Sequence, residues 1–142
     1  MKFSLLVVGK LKSDALTLLC DDYRRRIRRF VSIDETEVKD DAALCRAIPD
    51  NVFVVALQVH GQALSSSQFS ERLVGWGSRG NGHVCFVIGG AEGIPSEVAD
   101  RADFQLSLST LTLPHRLARL LLLEQLYRGL SIWRGEPYAR EG

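Results

Sequence analysis

Five short runs rich in β-branched and apolar residues recur along this 142-residue chain, each followed by a segment with helical spacing. The runs are Phe3–Val8, a short alternating run opening at Val31 and Ile33, Val52–Leu57, Val84–Ile88 and Phe104–Leu108. Continuous apolar runs of this length suit strands buried on both faces, and helices between them supply the crossovers that parallel strands need. The pattern predicts an α/β fold, a mostly parallel sheet flanked by helices, with residues 1–142 as a single domain.

Helix signals fill the gaps. Leu16, Leu19, Tyr23, Ile27 and Phe30 follow a 3–4 spacing that predicts a helix over 14–30, capped by Ser13 or Asp14. Asp40–Ile48 reads as a short helix stopped by Pro49-Asp50-Asn51. After a loop containing Gly61, Ser65–Ser67 can cap a helix packing Phe69, Leu73, Val74 and Trp76, followed by a turn over Gly77–Gly82. Pro95 opens a further short helix, and Pro114–Ile132 reads as a long one. Leucines 117, 120, 121, 122, 123, 126 and 130 of that last helix point nearly all round its axis. Such a helix is either central in the core or shared between the core and a partner subunit, and Tyr127 and Trp133 suit an interface.

A chain with 46% apolar and 25% charged residues is not a disordered one, and its size supports a core without disulfides or metal. Cys20, Cys45 and Cys85 read as reduced thiols, and the spacing of His60, His83 and His115 nominates no metal site. The leucine run at 120–123 is too short for a bilayer, and no cleavage signal follows Phe3–Val8, so a cytoplasmic protein without membrane contact is expected. Net charge is only +1, but residues 1–30 carry eight Lys and Arg against three Asp and Glu. Arg24, Arg25, Arg26, Arg28 and Arg29 form either a solvated helix face or a phosphate-tracking patch.

In parallel α/β folds, ligands sit at the carboxyl ends of strands, which draws attention to the segments after Leu57, Ile88 and Leu108. Gly89-Gly-Ala-Glu-Gly93 is either a tight turn or a backbone approach to a ligand; it is neither GxGxxG nor a P-loop. The hydroxyl-punctuated apolar stretch Leu106–His115 can offer peptide groups beside apolar walls, which suits a flat base, or can be a buried connection.

Together, Phe86-Val-Ile-Gly-Gly-Ala-Glu-Gly93, Leu108-Ser-Thr-Leu-Thr-Leu-Pro-His115, Glu124-Gln-Leu-Tyr-Arg128 and Arg134-Gly-Glu-Pro-Tyr138 resemble the ribosomal large-subunit RNA methyltransferase H family of the SPOUT class. The opening strand and Tyr23-Arg-Arg-Arg-Ile-Arg-Arg-Phe30 also fit, so the resemblance spans essentially the whole chain. It implies methyl transfer from S-adenosylmethionine to N3 of a pseudouridine in 23S rRNA, either free or in the assembled ribosome. It also implies a homodimer, no metal, and a carboxyl-terminal trefoil knot. The positions matching the family's cofactor site are Leu57, Gly89, Leu108, Ser109, Thr110, Leu111, Thr112 and Leu113. Arg24, Arg25, Arg28, Tyr138 and Arg140 are the candidates for RNA contact, and Tyr138, Arg140 and His115 for catalysis. Two positions depart from the family pattern: Ala139 stands where a histidine is usual, and Gln58 where an acidic residue is common. The alternatives are a catalytically impaired RNA-binding homologue and a flavodoxin-like nucleotide-binding module.

Overall fold

A computed structural model describes residues 1–140 of the chain. Five parallel strands form one sheet: β1 (Lys2–Val8), β2 (Ser32–Val38), β3 (Phe53–Ala63), β4 (His83–Ile88) and β5 (Phe104–Ser107). Their spatial order is β2-β1-β4-β3-β5, so β4 is inserted between β1 and β3. The helices are α1 (Asp14–Ile27), α2 (Asp41–Ala47), α3 (Ser66–Arg79), α4 (Ser96–Arg101) and α5 (His115–Trp133), followed by a 3₁₀ turn over Pro137–Arg140.

Strand parity divides the core in two. Phe3, Leu5, Val7, Val55, Val84 and Phe86 face α1, α3 and α5, whose Cys20, Ile27, Leu73, Trp76, Leu122 and Leu126 close that layer. Leu6, Val54, Cys85 and Val87 face the other way, against Leu44 of α2 and Val98 of α4. Both faces are covered, which accounts for the continuous apolar runs. Ser13 and Asp40 cap α1 and α2, and Ser65 with Gln68 closes a capping box on α3.

The sequence expectations shift in four places. Cys20, not Leu19, takes the inner position of α1, since i+4 from Leu16 faces the core while Leu19 is 47% exposed. Residues 28–30 leave the α-helix because Arg29 and Phe30 donate to carbonyls three residues back, tightening the last turn. Helix α3 continues through Gly77 to Arg79, and its Val74 faces outward. Strand β3 runs on through Gly61 to Ala63 instead of ending near Leu57. Helix α5 is central: it packs on both α1 and α3, which buries Leu122, Leu123, Leu126 and Leu130. Only Leu117 and Leu121, one turn apart, remain more than 40% exposed among its leucines.

Candidate active site

Because the strands are parallel, their carboxyl ends share one edge of the sheet, and a cleft of about 670 Å³ opens there. That volume lies in the range of small-molecule sites. Leu57 of β3, Ile88 of β4 and Leu106 of β5 form its apolar floor. The Leu108–Leu113 loop and the first turn of α5, with His115 and Ala118, form the opposite wall.

Each wall has a local cause. Leu57 and Gln62 both pair with Leu106, so the chain between them bulges out of the ladder and carries Val59 and His60 along the cleft. A Cβ on Gly61 would come within 2.6 Å of the Gln105 carbonyl oxygen, so the return of the bulge requires glycine. The Gly89–Gly93 turn closes on itself, with the Gly93 N–H donating to the Gly90 carbonyl at 3.0 Å and Gly93 at φ +82°. A Cβ on Gly89 would strike the Gly93 carbonyl and lie 2.8 Å from the Ile94 nitrogen. Glycine at 89 is thus demanded by the turn itself.

The Leu108–Leu113 segment behaves differently. Ser107 Oγ donates to the Ser109 carbonyl, and the Leu111 N–H donates to Ser109 Oγ. Beyond these two bonds, among the described residues, the peptide groups of 109–113 make no backbone–backbone hydrogen bond. Free donors and acceptors next to leucine side chains are the donor set a planar heterocycle needs.

Seven of the eight cofactor candidates line the cleft: Leu57, Gly89, Leu108, Ser109, Leu111, Thr112 and Leu113. Thr110 does not, and is exposed. His115 lines it as well, half-buried, with Gly9 packed close to its Cε1. Gln58 is at the rim, as are Glu92 and His60, which the sequence did not single out.

Tyr138 and Arg140 lie elsewhere. They follow the carboxyl end of α5, and a 19-residue helix spans about 28 Å, so within one chain the helix length separates them from the cleft. The Tyr138 hydroxyl donates to Glu124 Oε2 at 2.9 Å and bonds the Tyr23 hydroxyl at 3.2 Å. Burial, followed by these two bonds, holds the Tyr138 phenol well above its ordinary range, so it keeps its proton at neutral pH. Arg128 is bound to Glu124, and Arg29 to Glu136 at 2.9 Å. The tail is thereby docked on the basic end of α1. Of the RNA candidates there, Arg24 is drawn into the protein by Glu35 and Asp21, and Arg25 pairs with Asp22 while staying exposed. Arg28 is exposed.

A buried ionic cluster joins the two ends. Arg119, 4% exposed on the second turn of α5, binds Glu35 and Glu37 of β2, and Arg24 binds the same Glu35, whose side chain is fully buried. Burial opposes charge on Glu37, yet its bonds to Arg119 and to the Leu11 N–H hold its carboxyl below the ordinary range. Ile33, Glu35 and Glu37 share one face of β2, so the parity that buries Ile33 also buries the Glu35 carboxylate and turns Glu37, which stays partly exposed, toward Arg119. That alternation is the sequence signal for the cluster.

A family model described as "Predicted SPOUT methyltransferase" matches residues 1–139. A protein of Sorangium cellulosum named ribosomal RNA large subunit methyltransferase H is 46% identical over 144 residues, covering 98% of this chain and 99% of its own length. Among solved structures, a probable methylase family protein from Haemophilus influenzae superposes with a TM-score of 0.58 at 10% identity, over 96% of this chain and 69% of that one. The SpoU methyltransferase AviRb from Streptomyces viridochromogenes, solved in complex with AdoMet, gives 0.50 at 12% identity, over 88% and 56%. The likeness to these two structures concerns the fold, whereas the full-length match in sequence fixes the kinship. The chain belongs to the SPOUT methyltransferase family, among the proteins named ribosomal RNA large subunit methyltransferase H.

Proposed function

We propose that this protein transfers the methyl group of S-adenosylmethionine to N3 of a pseudouridine in 23S rRNA, acting as a cytoplasmic homodimer of one-domain subunits with the family's carboxyl-terminal knot. The observation that carries the proposal is the apolar cleft at the carboxyl edge, with 109–113 peptide groups that have no backbone partner, in a chain 46% identical to a named rRNA methyltransferase. Leu57, Leu108 and Leu113 would hold the adenine between apolar walls, and the free peptide groups of the loop would read its edge. The bound cofactor supplies an electrophilic methyl carbon.

The chain's own work is then to align the acceptor nitrogen and to manage its proton. Alignment contributes up to roughly 7–11 kcal/mol, and a positioned base adds about 10²–10⁴-fold. His115 lines the cleft of its own chain, where it can serve as that base. Tyr138, whose single proton is given to Glu124, is suited to fix the tail beside the nucleotide, and Arg140 to stabilise negative charge on the ring. For Tyr138 and Arg140 to reach a nucleotide beside the cleft, they must come from a second copy, because their own α5 holds them away. The exposed Leu117 and Leu121 on α5 supply an apolar surface for such a two-fold contact.

Incubation with S-adenosylmethionine and either free 23S rRNA, large subunits or whole ribosomes, with the product mapped, tests the reaction. A methyl group on N3 of a pseudouridine supports it. Cofactor binding without transfer to any of the three substrates points to an impaired homologue, and no cofactor binding points to a different nucleotide-binding module. Light scattering at micromolar concentration should give about twice the 15.8 kDa of one chain; a clean monomer contradicts the dimer.

A further inference from the structure

The chain has only four lysines, and three of them, Lys10, Lys12 and Lys39, stand at the carboxyl edge of the sheet that also carries the cleft. Lys10 and Lys12 belong to the loop between β1 and α1, and Lys39 directly follows β2. Val8 and Val38 are in register, and the Gly9 N–H donates to the Val38 carbonyl at 2.9 Å, which sets the two strand ends side by side. All three lysines are exposed, and none forms an ion pair among the described residues.

The loop that presents them is held from both sides. Its Leu11 is buried, with the N–H donating to Glu37 Oε2 at 3.2 Å and the carbonyl accepting from Arg116 Nη1 at 3.2 Å. Glu37 is itself fixed by Arg119 at 2.7 Å. Gly9 and Lys12 both take positive φ, 97° and 52°, which turns the chain sharply around the anchored Leu11. Gly9 packs on His115 and Val8 on Gly90, so the loop abuts two walls of the cleft. The neighbouring carboxylates are largely committed: Glu37 to Arg119, and Asp40 to the Ala43 N–H as cap of α2. Asp14 and Asp41 sit in the first turns of α1 and α2, and Glu92 lies across the cleft.

The geometry points to Lys10, Lys12 and Lys39 as a phosphate clamp that seats the RNA backbone beside the cleft of the same subunit. The inference rests on the RNA substrate proposed above and adds where its backbone docks. Lysines on a braced loop can track phosphates at little entropic cost, whereas Arg24, on the more arginine-rich α1, is spent on internal pairing.

The test is cosedimentation with purified ribosomes between about 50 and 200 mM salt, comparing two triple variants. Lys10→Gln/Lys12→Gln/Lys39→Gln removes the clamp. Lys2→Gln/Arg46→Gln/Arg79→Gln removes the same charge from the opposite edge, where Lys2 opens β1 and Arg46 and Arg79 close the helices leading into β3 and β4. The clamp variant should bind more weakly, with the slope of log affinity against log salt reduced by about 2, since each phosphate contact contributes about 0.7–0.9. Its melting temperature and its calorimetric affinity for S-adenosylmethionine should not change. The control should keep the wild-type slope. An unchanged slope in the clamp variant, or equal losses in both triples, overturns the assignment. A wild type that transfers no methyl group while the slope difference persists overturns the reaction proposed above and supports the clamp.

Discussion

The two ends of α5 make opposite use of their polar groups. At the amino end, the loop leading into the helix leaves the peptide groups of 109–113 without backbone partners and exposes 74% of Leu111. At the carboxyl end, Tyr138, Tyr23, Glu124, Arg128, Glu136 and Arg29 satisfy one another within the chain. Peptide groups that face solvent beside apolar walls can exchange water for the polar edge of a ligand, so the first end is open to a partner from outside. The second end is complete already, and its function is to hold the tail in a fixed place. Between them, Arg119 locks α5 to β2 and fixes the orientation of both.

Removing that lock is expected to have the largest effect. Arg119→Met leaves Glu37 without its main partner and the buried Glu35 with Arg24 alone, which should cost about 3–5 kcal/mol in urea unfolding. Adding Glu35→Gln to Arg119→Met should recover part of the loss, because the uncompensated buried charge is gone. An Arg119→Met protein as stable as wild type would show that the two ends are not coupled through this cluster.

A smaller effect is expected at the tail. Ala139 is half-buried and presents a methyl group where the family usually has an imidazole. Ala139→His should raise single-turnover methylation of ribosomes by roughly 5–150-fold, equivalent to one recovered polar contact of about 1–3 kcal/mol. The affinity for S-adenosylmethionine should stay the same, since the cleft lies at the other end of the helix. A changed cofactor affinity would break the separation of the two ends. An absent rate gain with a fast wild type would assign the polar role to a neighbour of Ala139.

The smallest effect concerns pH. Glu37 is held below the ordinary carboxylate range in the native state, so it stabilises the fold above that range and loses this contribution as pH falls through its native value. Acid titration of the unfolding midpoint should therefore show a loss below about pH 4 that is smaller in Glu37→Gln. Identical acid profiles for the two proteins would mean that Glu37 braces the Leu11 loop without contributing to stability.

The layered fold was legible because strands covered on both faces must be continuously apolar, and Phe3–Val8 and Val84–Ile88 are. The cleft was legible through its strand ends: Leu57, Gly89 and the 108–113 segment converge as the parallel order requires. The β3 bulge was not, because its one mark, Gly61, reads equally well as an ordinary loop glycine. Chain order places Tyr138 at the carboxyl end of α5, but its partners Tyr23 and Glu124 were hidden, since they depend on how α1 packs against α5. Of the two readings of Gly89, the geometry supports the tight turn: its missing Cβ makes room for the Gly93 carbonyl. Gly89→Val would distort the turn before it tested any ligand, so a probe of the cleft must sit on regular structure.

Ala118 meets that requirement, on the first turns of α5 with its side chain lining the cleft. Titration calorimetry of S-adenosylmethionine into wild type and Ala118→Phe tests most directly whether the open end of α5 is the cofactor site. Wild type should bind one cofactor per cleft, and Ala118→Phe should lose about 10-fold or more in affinity at an unchanged melting temperature. A wild type that does not bind, or an Ala118→Phe protein that binds equally well, would contradict the placement of the cofactor.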